Sequence, residues 1–286
     1  MTQVVQNTPD TKQADLILLD ILNKTDGFSE PPIILKKIIE LSNNPTSSAS
    51  RVADVICGSP SIATRVLRLA NSAHYGFPRR INSVQDAVAL LGMHSIRSLV
   101  IVATAYNLFY KPGPLSKYYQ GLWEHSIATA VLSKIIAGRN GNSDIESAYI
   151  SGLLHDIGKL VLIERFQDQY LQILKLKDLD SSKFLQNEEA MFGFSHTLVA
   201  AVLLEKWNLP ENIVEAVAAH HHIVSSDSFS GIVGLANILV TILGFNILSP
   251  SEEEKSMFHE FELTEDKDYF RKLIGDQLRL FKTTLI

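Results

Sequence analysis

The chain is 286 residues long, 46% hydrophobic and 20% charged, an ordinary globular composition that excludes a wholly disordered polypeptide. Its 26 Lys and Arg against 31 Asp and Glu leave a net charge of −5, which argues against a protein devoted to non-specific nucleic-acid binding. The single cysteine, Cys57, excludes an intramolecular disulfide framework and any cysteine-based zinc site, whereas several of the nine histidines crowd into the second half.

The first ten residues hold no basic stretch leading into an apolar run, so no signal peptide is expected and the expected location is the cytoplasm. Leu16 to Leu22 has helical apolar spacing. Pro31-Pro32 then reads as a helix start, with Ile34, Leu35, Ile38, Ile39 and Leu41 as one stripe and Asn43-Asn44-Pro45 as its end. Ser50–Ile56 and Ser61–Ala70 are two short amphipathic helices separated by Gly58-Ser59-Pro60. After Tyr75-Gly76-Phe77-Pro78 come Ser83–Leu91 and Met93–Phe109. Lys111-Pro112-Gly113-Pro114 is the sharpest break in the chain.

A second set of helices is expected over 120–138, 144–165, 167–177, 182–192, 196–206, 210–222 and 230–244. Ser143-x-x-Glu146 reads as a capping box for the helix that carries Leu153-Leu154-His155-Asp156. Gly231 to Leu248 runs without a charge for the ~18 residues at which a membrane span begins to be feasible. Its Asn237, Thr241 and Asn246 favour a buried core helix instead. An acidic stretch, Glu252-Glu253-Glu254, precedes a last amphipathic helix from Tyr269 to Phe281. No alternating strand pattern occurs, so the fold is expected to be all-α. It divides into an N-terminal helical part (1–112), a histidine-bearing bundle (113–250) and a C-terminal segment (251–286).

Within the bundle, His155-Asp156-x-Gly158-Lys159 reads as mid-helix, with Lys159 four residues beyond His155 and three beyond Asp156, all on one side. Imidazole and carboxylate suit a divalent first-row metal, and a neighbouring lysine can hold a phosphate oxygen. The same tetrad also reads as a capped histidine beside a surface lysine. His125 sits near the stripe Ile127, Val131 and Ile135; His196 begins a helix; His220-His221-His222 ends one. Four helices that each bring histidine to an apolar context are hard to explain as core filling.

This series resembles the HD superfamily of metal-dependent phosphohydrolases. More closely, the stretch from Pro31 to Leu243 resembles HDOD proteins, relatives of the HD-GYP signalling domains. The likeness is carried by Arg65–Gly76 with Asn71-Ser72, Ile81–Gly92, Glu189-x-x-x-Gly193-x-x-His196 and Trp207-x-Leu209-Pro210. It implies an HD-like helical bundle with an N-terminal helical subdomain packed on it. His125, His155, Asp156, His196, His220, His221 and the position of Asn237 become candidate metal ligands. The resemblance further implies that Asp156 bridges and Lys159 neutralises a phosphate. The cofactor would be one or two divalent ions of iron, manganese, zinc or magnesium, if the site still binds any.

Two departures from the HD pattern stand out. Asn237 replaces an aspartate, and no Gly-Tyr-Pro loop follows His222, so cyclic-dinucleotide hydrolysis is unsupported. The leading expectation is an HDOD-type signal-transduction protein with a retained or partly degraded metal site. Its partners would be signalling proteins or a small phosphate-containing ligand, with no membrane. The alternative is a working phosphohydrolase on a nucleotide or phosphate ester. The third reading is nucleic-acid binding through Arg65, Arg68, Arg79 and Arg80. Asn71 is expected to serve packing as a local helix-end cap.

Overall fold

The computed structural model describes residues 11–25, 28, 32–42, 46–71, 77–142, 144–176, 179–223, 228–246, 248–260 and 267–285. Pro31, the expected Asn43-Asn44-Pro45 stop and the Ser72–Gly76 stretch lie outside them, as does Ser143. The helices are α1 Thr11–Lys24, α2 Ile33–Ser42, α3 Ala49–Cys57, α4 Pro60–Ala70 and α5 Val84–Phe109. They continue with α6 Ser116–Arg139, α7 Ile145–Leu154, α8 Ile157–Arg165, α9 Gln167–Leu174 and α10 Ser181–Phe192. The remainder are α11 His196–Lys206, α12 Glu211–Ala218, α13 Phe229–Ile242, α14 Glu252–Glu260 and α15 Lys267–Leu285. Among the described residues there is no strand, only an isolated bridge between Asp180 and Ser249, and the fold is all-α.

Local chemistry sets the helix ends. Ser48 and Ser83 accept hydrogen bonds from the Arg51 and Asp86 amides, and Pro60 opens α4, where its missing N–H costs nothing. Asn71 closes α4: its Nδ2 donates to Leu67 O (2.8 Å) and Ile81 O (2.7 Å), and Ile81 N donates back to its Oδ1 (2.7 Å). Packing is therefore its role, as its position after Leu69-Ala70 suggests. The break expected between Leu91 and Met93 is a kink within α5, at Gly92 with φ 77°. At the start of α7, Asp144 acts as a cap: the Ser147 amide donates to Asp144 Oδ1 (3.0 Å). Glu146, half-buried, accepts from Lys134 Nζ and Ser98 Oγ at 2.7 Å each.

In the N-terminal part, α2, α3 and α4 pack on α5, which also touches α6 and α7. In the second part, α7 lies along α6, α13 packs on α6 and α12, and α8 packs on α11. The last helix, α15, reaches back over α6 and α4, with Phe281 edge-on to Trp123. By length and composition α5 could cross a membrane, but it is kinked and its second half is buried under neighbouring helices. The uncharged stretch Gly231–Leu248 supplies only the 14-residue α13, which is buried in the bundle and short of the ~20 residues a span needs.

Candidate metal centre

The expectation of one helix over 144–165 fails at an informative place. His155 closes α7 and Asp156 (φ −100°, ψ 8°) opens α8, so the dipeptide sits in a sharp break between two helices. Both side chains point inward, where a continuous helix would have spread them about 100° apart. The histidine triplet likewise lies beyond a helix rather than within its end. Helix α12 stops at Ala218, and His220 and His221 sit in the following turn. That turn lets two adjacent residues face one centre. His125 comes from α6 and His196 from the first residue of α11.

Two glycines let these pieces meet. A Cβ on Gly158 would lie 2.0 Å from His196 O and 2.9 Å from Ala200 N, so α8 touches the α11 backbone there. A Cβ on Gly234 would lie 2.6 Å from His220 O, so α13 presses equally closely on the histidine turn. These approaches set His155-Asp156, His196 and His220-His221 around one point.

Asp156 is that point. Its Oδ2 lies 2.7 Å from Lys159 Nζ, 3.3 Å from His155 Nε2 and 3.6 Å from His125 Nε2. Its Oδ1 lies 3.3 Å from His196 Nε2 and 3.8 Å from His220 Nε2. The donors thus fall into two sets that could each hold a metal ion, His125–His155–Asp156 and His196–His220–His221, with the Asp156 carboxylate between them. Asn237 on α13 is buried and lines the adjoining cavity of about 530 Å³ beside His220 and His221. His222 lines the same cavity. Every metal-site candidate from the sequence therefore falls at this centre or in the cavity against it.

The outer ring nitrogens are committed elsewhere. His125 Nδ1 faces Phe245 O (3.0 Å), His155 Nδ1 faces Gly152 O (2.8 Å) and His220 Nδ1 faces Val217 O (2.7 Å). A carbonyl only accepts, so each Nδ1 carries the proton and each Nε2 presents a bare lone pair inward. His196 Nδ1 instead meets Glu188 Oε2 at 2.5 Å, and the same oxygen accepts from the His196 amide (2.9 Å). The other Glu188 oxygen accepts from Tyr170 OH (3.1 Å). Glu189 of the family-like motif is exposed; its buried neighbour Glu188, which the sequence reading did not single out, orients His196. Its signal was the i,i+4 spacing from buried Phe184 on the inner face of α10.

The inward nitrogens crowd one another. His125 Nε2 and His155 Nε2 are 3.2 Å apart, and His196 Nε2 and His221 Nε2 are 3.3 Å apart. Protons do not relieve this readily: burial, with His155 adjacent, pushes His125 down to about 3. Burial and neighbouring imidazoles likewise hold His220 and His221 well below the usual histidine range. Burial opposes charge on His196 too, yet the Glu188 carboxylate leaves its pKa raised. For Asp156 burial favours the neutral acid, but His155 and Lys159 outweigh it and keep the carboxylate ionised. Asp156 Oδ1 and His220 Nε2 are buried without a hydrogen-bond partner. An orphaned carboxylate oxygen among converging imidazole lone pairs is the donor set a divalent cation takes, and the residues fit such an ion.

The fold and the centre agree with relationships to known proteins. The HDOD domain family model matches residues 29–223. A solved HDOD domain protein of unknown function from Geobacter sulfurreducens superposes with a TM-score of 0.71 at 27% identity, covering 96% of this chain and 97% of its own. A Marinobacter aquaeolei VT8 protein, provisionally named for signal transduction, gives 0.69 at 23% identity over 98% of this chain and 66% of its own. A Shewanella amazonensis SB2B protein, provisionally named a metal-dependent phosphohydrolase, gives 0.64 at 18% identity over 96% and 99%. At those identities the last two share the fold alone. An uncharacterised Treponema pallidum (strain Nichols) protein is 24% identical over 224 residues, 77% of this chain and 42% of the relative. The chain spans less than half the length of the curated relatives it matches.

Proposed function

The chain belongs to the HDOD domain family, and from that premise we propose that it is a signal-transduction component whose histidine–aspartate centre binds divalent metal and a phosphate-bearing ligand. The observation that carries the reading is the pair of face-to-face Nε2 contacts around Asp156, with the Nδ1 protons of His125, His155 and His196 committed elsewhere. Without a cation the His125 and His155 lone pairs repel; with one or two ions the inward ring nitrogens become ligands. In this proposal His125 and His155 would hold one ion and His196, His220 and His221 the other, with the Asp156 carboxylate available to both sets. Bound metal would supply Lewis-acid polarisation of a phosphoryl oxygen. Lys159, buried and 2.7 Å from Asp156, would bring positive charge to the same phosphate. Asn237, beside the His220–His221 half, gives that half a neutral wall where a carboxylate would have added charge.

A second reading, phosphohydrolysis of a nucleotide or phosphate ester, is favoured by Lys159. Its cationic head is almost fully buried, and a purely structural centre has no need of it. Elemental analysis with calorimetric titration of manganese and zinc tests the metal assignment. The expected result is one or two equivalents per chain in the wild type and loss of at least tenfold in affinity for Asp156→Asn. Equal affinities would remove the proposal. Turnover of a generic phosphomonoester by metal-loaded protein, abolished in Lys159→Met, would select the enzyme reading; tight metal binding without turnover would select the signalling one.

A further inference from the structure

Away from the histidine centre, α4, the segment 77–82 and the end of α15 enclose a concavity of about 790 Å³. It shares no lining residue with the cavity over the histidines. Arg68, Arg79 and Arg80 line it, and among the described residues no acidic one does, in a chain whose net charge is −5. Arg68 has a partner of its own, and the fourth arginine of the sequence cluster, Arg65, faces away from the concavity. Its Nη1 donates to Ala103 O (3.2 Å) and Asn107 Oδ1 (2.7 Å), and its guanidinium lies over Tyr106.

We infer that this groove is a second ligand site, for a nucleoside polyphosphate. The Arg79 and Arg80 guanidinium groups in one concavity match phosphate oxygens through forked, charge-assisted hydrogen bonds, with the already partnered Arg68 adding positive charge beside them. The cluster is also held in shape. The side chain of Asn71 clamps the backbone of Ile81 in both directions at 2.7 Å, which ties the segment that carries Arg79 and Arg80 to the end of the helix that carries Arg68. The volume exceeds what inorganic phosphate fills and falls within the ~300–1,000 Å³ of small-molecule sites. Phe77 adds an apolar wall for a planar base, and Asn82 and Thr283 add polar edges. A nucleic-acid strand is the poorer match, because it needs cations tracking along a path rather than gathered in one recess on an otherwise acidic molecule. One wall belongs to α15, beyond the 29–223 segment shared across the family, so the site is built by this chain's own C-terminal helix against the N-terminal part. A ligand there would tie α15 to α4 while α15 also rests on α6, the helix of His125.

The test is titration of ATP, tripolyphosphate and adenosine into the full chain in EDTA, which keeps metal-dependent binding at the histidines out of the signal. The expected result is saturable ATP binding, no adenosine binding, and at least a tenfold loss of ATP affinity in Arg79→Ala/Arg80→Ala. The double lysine variant should lose less. Asp156→Asn, which disables the proposed metal centre, should bind ATP as the wild type does, so the two proposals fail separately. Absence of ATP binding to millimolar concentration, or an unchanged affinity in the double alanine variant, would overturn the site. Tripolyphosphate binding as tightly as ATP would overturn the nucleoside part. A 20-nucleotide single strand bound more than tenfold tighter than ATP would replace the assignment with a nucleic-acid track.

Discussion

The position of Asn237 turns the metal reading into a measurable difference. Its side chain is buried on α13 and shares a cavity wall with His220 and His221, so Asn237→Asp adds one anionic oxygen at nearly constant volume. With metal present, a charge-assisted contact should tighten binding by about tenfold, or ~1.4 kcal/mol. Without metal, the same carboxylate is a buried charge lacking a dedicated partner, and the apo protein should lose stability. Opposite signs in one variant are what a packing defect cannot produce. Calorimetric titration with manganese, paired with apo and loaded melting curves, reads both; a variant destabilised in both states with unchanged affinity would place Asn237 outside the ion's reach. Residue scale is also where the sequence was most and least legible. Histidine, aspartate and lysine advertise their chemistry by type, so the centre could be read from the chain through family resemblance. Glu188 and Glu189 are chemically identical, and only the burial of one face of α10 tells which of them holds His196.

At the level of elements, helix positions follow from apolar periodicity and caps, and most of them were readable. What periodicity does not encode is a break that leaves the pattern intact. Leu153-Leu154-His155-Asp156-Ile157-Gly158 keeps a helical spacing straight through the turn at Asp156, so the two helices α7 and α8 look like one. The reason for the break is tertiary. Gly158 lets the start of α8 lie against the backbone of α11, and that approach holds Asp156 between the histidine sets. Gly158→Ala would place a methyl group 2.0 Å from His196 O, where only backbone can yield. Forcing the helices apart should destabilise the protein by roughly 3 kcal/mol, the upper end for overpacking, and should weaken metal binding in whatever fraction still folds. Gly275→Ala is the contrasting change, because α15 leaves open space around that position. It should gain about 0.5–1 kcal/mol from helix propensity. Urea unfolding of the two variants checks both signs; similar stabilities for them would show that the close approach of α8 and α11 is not what sets the centre. The C-terminal wall of the histidine cavity was invisible for a similar reason. Ser251-x-x-Glu254 makes a reciprocal capping box, with Ser251 N donating to Glu254 Oε2 (2.7 Å) and Glu254 N donating to Ser251 Oγ (3.2 Å). The same carboxylate also accepts from Ser181 Oγ at the start of α10. An acidic run therefore becomes a cavity wall only through a contact with a residue 73 positions away.

For the whole molecule, the buried histidines make stability depend on pH in a direction the geometry determines. In the unfolded chain each imidazole takes up a proton as pH falls through about 6.5. In the folded chain burial keeps His125, His220 and His221 neutral well below that, His125 down to about 3. The unfolded state therefore binds more protons as pH falls below 6.5, and stability present above that value is progressively lost toward pH 3. His196 acts in the opposite sense, because its raised pKa lets the folded chain bind a proton earlier than the unfolded one does. Its contribution is complete at low pH and fades as pH rises through its folded pKa. Three rings against one leave a net loss on acidification, up to about 1.4 kcal/mol per pH unit for each proton taken up in excess on unfolding. Metal sharpens the effect through His196, because an ion that binds only the folded chain must displace the proton this ring otherwise holds, so its stabilisation weakens as pH falls. The melting temperature of the EDTA-treated chain should thus fall between pH 7 and pH 5, and that of manganese-loaded protein should fall further over the same interval. Replacing His196 with glutamine should remove the single opposing contribution and steepen the apo curve. A melting temperature level across that interval, with or without metal, would mean that these rings already carry protons in the folded state, and the inward lone pairs on which the metal reading depends would not exist.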